Sequence, residues 1–229
     1  MEIFRFIFNP ISVNTYVVSG KDGRCVVIDP GCLDGEEREA LASSMREKGL
    51  TPDAVLLTHG HMDHIYGAAW MQEAYGTPIY MACEDIPVIG YFQRIAKFGL
   101  PAADPNFTTT GIKDSDVLEA AGLEFKVIGT PGHSPGSVCY LSSDERTMFT
   151  GDTLFAGAIG RTDLYLGEYD DEIRSIMNKL MALDGDIAIY PGHGGPSTIG
   201  RERTTNPFLE PFNEREEIPE LNPNPYDEN

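Results

Sequence analysis

Residues 58–64 read Thr58-His59-Gly60-His61-Met62-Asp63-His64, an H-x-H-x-D-H run placed directly after the apolar stretch Ala54-Val55-Leu56-Leu57. The two other histidines of the 229-residue chain stand in similar settings. His133 lies in Thr130-Pro131-Gly132-His133-Ser134-Pro135-Gly136, after Phe125-Lys126-Val127-Ile128. His193 lies in Tyr190-Pro191-Gly192-His193-Gly194-Gly195, after Ile187-Ala188-Ile189-Tyr190, and Asp152 follows Met148-Phe149 in Thr150-Gly151-Asp152-Thr153. Each polar residue therefore comes just after a short apolar run that reads as a strand. Strand ends of a sheet core are rigid platforms, and the loops leaving them can converge.

Four strand ends that present only imidazole and carboxylate supply the donor set of a zinc or iron site. The five histidines with Asp63 and Asp152 make seven donors. A single tetrahedral zinc takes about three or four protein ligands. Two metals sharing one carboxylate would each take three terminal side chains plus the bridge. The count points to a two-metal hydrolytic centre.

Outward from these motifs, β-rich runs alternate with helical patterns. Strands are expected at 3–8, 13–19, 25–29, 53–57, 78–81, 117–120, 123–128, 137–141, 147–149 and 187–190, with Lys21-Asp22-Gly23 as a hairpin turn. Helices are expected from Asp34 to about Lys48, from about His64 to Tyr75, from about Asp170 to Met181 and near 199–204. Asp34 is the expected cap of the first, Glu37 the expected capping-box partner and Gly49 the stop. The segment 83–110 holds Tyr91, Phe92, Phe98 and Phe107 beside Arg94 and Lys97, and is broken by Pro87, Pro101 and Pro105. It reads as one short helix plus a loop, either a binding wall or a self-packed insertion.

Composition narrows the function. The chain has 17 basic and 36 acidic side chains, a formal charge of −19. A nucleic-acid binder needs a cationic footprint, and anionic membranes repel such a chain. No apolar run reaches transmembrane length, and Glu2 and Arg5 interrupt the N-terminal one, so neither a membrane span nor a signal peptide is expected. Cys25, Cys32, Cys83 and Cys139 form no C-x-x-C pair and read as free thiols in a reducing cytosol. Residues 210–229 hold seven acids and one base, rich in Pro and Asn, and read as an acidic arm following one domain over 1–209.

The H-x-H-x-D-H run, the later Gly-His, Gly-Asp and Gly-His-Gly resemble the metallo-β-lactamase superfamily over residues 3–209. The resemblance implies an αββα sandwich, an α/β fold with the metals at one sandwich edge. It implies that His59, His61 and His133 hold one divalent metal, that Asp63, His64 and His193 hold a second, and that Asp152 bridges them. Within the superfamily, Gly160-Arg161-Thr162-Asp163, Pro191-Gly192-His193-Gly194, Glu202-Arg203 and Asn206-Pro207 look like the hydroxyacylglutathione hydrolase (glyoxalase II) branch. Longer members carry a helical C-terminal domain that contacts glutathione. Only 36 residues (229 − 193) follow His193 here, so the resemblance is to a short single-domain form.

The implied reaction is hydrolysis of a small-molecule thioester by a hydroxide bridging two metals, zinc first, with iron or manganese as alternatives. Asp63 and Asp152 are the candidate catalytic carboxylates, with Asp63 helping to hold the hydroxide. Arg161, Lys97, Tyr165 and Tyr91 are candidate substrate contacts. Arg161 has an alternative partner in Asp163, and the tyrosines an alternative role in packing. The main rival, by resemblance, is a persulfide dioxygenase with one iron on His59, His133 and Asp152. A lactonase or β-lactamase and a metal-stabilised binding module are further alternatives. Gly132-His133-Ser134-Pro135-Gly136 matches the serine-hydrolase elbow G-x-S-x-G, but Pro135 lacks the backbone N–H that the oxyanion hole requires.

Overall fold

A computed structural model describes residues 1–96 and 101–210. Two six-stranded mixed sheets carry the architecture. The first runs in the order β1 (Glu2–Phe8), β2 (Val13–Ser19), β3 (Arg24–Ile28), β4 (Thr51–Leu56), β5 (Ile79–Ala82), β6 (Thr110–Ile112). The second contains β7 (Val117–Ala120), β8 (Leu123–Gly129), β9 (Val138–Ser142) and β10 (Thr147–Gly151), then β13 (Ala188–Pro191) and β14 (Ser197–Thr198) beyond β10. A two-stranded hairpin, β11 (Leu154–Phe155) and β12 (Ala158–Ile159), follows the second sheet's central strand.

Alternation along the strands builds the layers. In β2, Tyr16 and Val18 point into the core between the sheets, where they join Val26, Ile28, Leu56, Phe125, Val127, Tyr140 and Phe149. Val17, one residue out of phase, packs in the opposite direction with Val27, Val55, Leu41, Met45 and Met71. These last three come from helices α1 (Gly35–Glu47) and α3 (Ala68–Tyr75). On the far side of the second sheet, Cys139, Leu141, Met148 and Ile189 meet Ile173, Ile176 and Leu180. Ile173 belongs to α5 (Tyr169–Ser175), which continues into a π-helical turn over Ile176–Leu180. Strands buried on both faces carry near-continuous apolar sequence, which is why Val55-Leu56-Leu57 lacks alternation. The result is the expected αββα sandwich.

Two local expectations are corrected. The single helix expected from His64 to Tyr75 is two helices, α2 (Met62–Ile65) and α3, because Gly67 donates its N–H to Pro30 O at 2.7 Å across the break. Asp34 does cap α1, accepting from Glu36 and Glu37 N–H at 3.0 Å each. Glu37, however, accepts from Leu33 and Asn9 N–H at 2.7 Å rather than from the cap residue, tying the helix to the loop after β1. The short strands β6, β11, β12 and β14 are too brief to show a period in sequence. Segment 83–110 contains α4 (Ile86–Ile95) followed by irregular chain at 101–109. Among the described residues no helix is long and apolar enough to cross a membrane.

All four cysteines are free, and only Cys83 is exposed. Burial pushes the thiols of Cys25, Cys32 and Cys139 up to about 12. Since the thiolate is the reacting species, a disulfide reagent at pH 8 is expected to titrate one thiol per native chain and all four after unfolding. Rapid titration of two or more in the native protein would contradict this packing.

Candidate metal centre

The loops after β4, β8, β10 and β13 meet at one edge of the sandwich and bring His59, His61, Asp63, His64, His133, Asp152 and His193 together. Three groups have ligand atoms mutually within 4.8 Å: His59–His61–His133, Asp63–His64–His193, and His59–His64–Asp152. Asp152 faces both histidine groups. Its carboxylate oxygens lie 3.3 Å from His64 Nε2, 3.6 Å from His133 Nε2 and 3.5 Å from His193 Nε2. Asp63 Oδ2 lies 3.2 Å from His193 Nε2.

Each loop is held by partners remote in sequence. His64 donates from Nδ1 to Asp29 Oδ2 at 2.9 Å, which turns Nε2 toward the cluster. Thr58 Oγ1 donates to the same carboxylate at 2.6 Å and accepts a hydrogen bond from His59 Nδ1–H at 3.0 Å, so His59 Nε2 also faces inward. His133 donates from Nδ1 to Arg161 O at 2.7 Å, and His193 from Nδ1 to Ser12 O at 3.2 Å. This is the arrangement by which outer hydrogen bonds fix the tautomer and direction of ligating imidazoles. The His193 loop is further tied to the first sheet, where Asn14 Nδ2 donates to Pro191 O and Gly194 O at 2.9 Å.

Two buried carboxylates complete the scaffold. Asp85 accepts from Gly60 N–H at 2.7 Å, Ser134 Oγ at 2.7 Å and Gly136 N–H at 2.6 Å, joining the H-x-H and Gly-His loops. Ser134 of the G-x-S-x-G match is thus a buried structural donor. Glu172 accepts from His133 N–H at 2.8 Å. Gly132 adopts φ +151°, and a Cβ there would overlap the backbone of Glu172. Gly192 is required by close approach, since its Cβ would collide with Asp152 Oδ1 and crowd His64.

The donor set fits divalent cations. His59 and His64 Nε2 and Asp152 Oδ1 are buried and make no hydrogen bond, an expensive condition for polar atoms unless a cation completes them. Burial, reinforced by neighbouring imidazoles, holds His59 well below the usual histidine range and brings His61 down to about 3, so both present lone pairs at neutral pH. Burial would raise Asp152, but His64, His133 and His193 outweigh it and hold the carboxyl below the usual range. His64, between Asp152, Asp63 and Asp29, is raised despite burial.

A cavity of about 480 Å³ opens on this cluster, with His61, Asp63, His133, Asp152 and His193 in its floor. Its walls include Ile11, Phe92, Phe155, Ile159 and Leu164. Phe92 therefore makes α4 a wall of this cavity, while Ile89 and Phe92 also pack against the core. Arg161 lines the cavity but forms a two-point ion pair with Asp163, at 2.7 and 2.8 Å. Tyr91 and Tyr165 stack on each other, with centroids 4.0 Å apart, and Tyr91 packs edge-on against Phe92. Lys97 lies outside the described residues.

Residues 8–193 match the family model of the metallo-beta-lactamase superfamily. The chain belongs to that superfamily. It is 35% identical over 199 residues to hydroxyacylglutathione hydrolase GloC of Haemophilus influenzae, covering 86% of this chain and 92% of that protein. The solved structure of BLEG-1, a B3 metallo-beta-lactamase, superposes with a TM-score of 0.80 at 34% identity, covering 91% of this chain and 99% of that one. TTHA1623 in a di-iron-bound form superposes with a TM-score of 0.79 at 34% identity, covering 90% and 100%. Family membership accounts for the shared sandwich. Asp29, Asp85 and Glu172 are the parts of the site that motif reading missed. Asp29 carried a faint signal, since it too ends an apolar strand, whereas Asp85 and Glu172 carried none.

Asp29 holds His64 directly and His59 through the Thr58 hydroxyl. Asp29→Asn is expected to lower metal affinity and turnover by roughly 10- to 100-fold, the usual cost of losing such a partner. Metal titration of the folded variant checks this. An unchanged affinity would deny Asp29 that role.

Proposed function

We propose that this protein is a dinuclear metal-dependent thioester hydrolase of the glyoxalase II-like branch, in its short form. The observation that carries the reading is the second donor group, Asp63–His64–His193, beside His59–His61–His133, with Asp152 facing both. A single iron on His59, His133 and Asp152 would leave that second group without a task. The likeness to GloC favours a thioester over a β-lactam, and hydroxyacylglutathione is the reference substrate. Zinc is the first choice of metal, with iron next in view of the di-iron relative.

The residues divide the work as follows. His59, His61 and His133 would hold one divalent ion, Asp63, His64 and His193 a second, and Asp152 both. Bound there, the ions supply Lewis acidity and a source of hydroxide at neutral pH. Asp63 opens on the cavity floor, and its carboxylate would help to hold the hydroxide. The outer partners Asp29, Thr58 and Arg161 O keep the imidazoles aimed, so little reorganisation accompanies the charge that develops on the carbonyl oxygen. The acyl C–S bond breaks, a C–O bond forms from water, and the proton passes to the thiolate. A thiolate is a weak enough base to leave without a dedicated acid.

Chelation followed by add-back of zinc, iron or manganese tests the reading. Thioester hydrolysis is expected to disappear with the metal and return on reloading, with two equivalents bound per chain. Unchanged hydrolysis by the metal-free protein would refute it. So would one iron per chain with oxygen uptake on a persulfide.

A further inference from the structure

The cavity above the cluster is walled by carbon. Ile11, Phe92, Phe155, Ile159 and Leu164 line it, and Arg161 is the one Lys or Arg side chain among the described residues that does. Arg161 donates from Nε and Nη2 of its guanidinium to Asp163. Glutathione carries two carboxylates, and the one Lys or Arg on the described walls already has Asp163 as its partner. An apolar chain, by contrast, would bury surface against five hydrophobic side chains at once.

The wall is also built in advance. Phe155 and Ile159 stand on the hairpin β11–β12. Gly157 N–H in its turn donates to Glu202 Oε2 at 2.8 Å. Asn206 Nδ2 donates to Ala158 O at 3.0 Å and to Glu202 Oε2 at 2.9 Å. Ser197 Oγ donates to the other oxygen of Glu202, which is itself buried. Glu202 and Asn206 thus fix this cavity wall from α6 (Ile199–Thr205) and the residue after it. A wall fixed before binding lowers the ordering cost of taking up a ligand.

From this geometry we infer that the substrate is a thioester with an apolar acyl chain of several carbons, which the Phe92–Phe155–Ile159–Leu164 wall recognises, and that the carboxylates of the thiol contribute little. This rests on the thioester reading above. The carbonyl carbon must sit at the cluster, and the chain bonded to it stays in the cavity while the thiol departs. The size of the cavity, about 480 Å³, falls within the usual range for small-molecule sites.

The test is a series of acetyl to hexanoyl thioesters of one thiol, assayed with the metal-loaded protein. kcat/KM is expected to rise about fourfold per methylene, the gain for burying one CH2. Hexanoyl thioesters of glutathione and of an uncharged thiol such as N-acetylcysteamine are expected to agree within about threefold, since solvent-exposed ion pairs contribute little. Non-hydrolysable S-alkyl thioethers, titrated calorimetrically into the same protein, are expected to bind with the same chain-length slope and a negative heat-capacity change. Phe155→Ala is expected to cut the hexanoyl-to-acetyl ratio by about tenfold while Phe155→Leu preserves it, because leucine retains most of the wall's apolar area. A flat or falling profile, or a glutathione preference above tenfold, would overturn the proposal while leaving thioester hydrolysis standing. Absence of hydrolysis across the whole series would bring down the thioester reading and this proposal with it.

Discussion

Asp152→Ala is expected to reduce thioester turnover by roughly 10³-fold or more, the scale set by several kcal/mol of lost charge stabilisation. The variant is also expected to lose at least one equivalent of bound metal. Among the described residues Asp152 is the one carboxylate whose oxygens approach imidazoles of both donor groups, at 3.3 Å from His64, 3.6 Å from His133 and 3.5 Å from His193. Its removal therefore weakens both halves of the centre, whereas loss of His61 would leave the Asp63–His64–His193 group complete. Alanine leaves a small void and no new clash beside Gly192, so the fold is expected to survive. Metal analysis of the purified variant, with its turnover, checks the claim. Retention of two equivalents and of activity within tenfold of the parent would deny Asp152 a bridging position.

Asp85→Ala is expected to be the most damaging substitution for stability outside the apolar core. The carboxylate is fully buried and accepts from Gly60 N–H, Gly136 N–H and Ser134 Oγ. Truncation strands two backbone donors, each worth about 1–3 kcal/mol when buried without a partner. With the hydroxyl and the void added, a loss of roughly 3–5 kcal/mol follows. For a chain of this size that corresponds to a fall in Tm of roughly 10 °C. Asp85→Asn keeps a carbonyl acceptor and is expected to lose less than half as much. Thermal unfolding with metal present and after chelation separates this effect from metal loss. A shift below about 2 °C in both conditions would show that water replaces the carboxylate.

The two expectations differ in how visible their residues are in sequence. Asp152 announces itself through Gly151-Asp152-Thr153 at the end of an apolar strand, the same local design that carries His59, His133 and His193. Asp85 sits between Glu84 and Ile86 in an unremarkable turn, and its partners Ser134 and Gly136 lie 49 and 51 residues away. Glu172 reads as one more acid in the first turn of α5, beside Asp170 and Asp171, although it accepts from His133 N–H across 39 residues. Period and turn chemistry report on neighbours along the chain, and buried hydrogen bonds between loops leave no such trace. The helix break at Gly67 has no local signature for a related reason, since its N–H bonds to Pro30 in another loop.

The substrate side divides in the same way. Arg161 and Asp163 are two residues apart, so their pairing was among the alternatives open from sequence, and the structure selects it. Tyr91 and Tyr165 come from distant segments, and only the fold shows that they stack.

The sequence by itself pointed to the αββα sandwich through its resemblance to the metallo-β-lactamase superfamily, and its apolar periodicity placed most of the strands and helices that build it. It also determined the seven donors, because each is printed beside the strand that carries it. Tertiary structure alone decided how far apart the donors stand, which carboxylates aim them, and that the cavity above them is apolar. Those properties depend on the distances between strand ends that are far apart in the chain, and such distances exist only once the two sheets have packed.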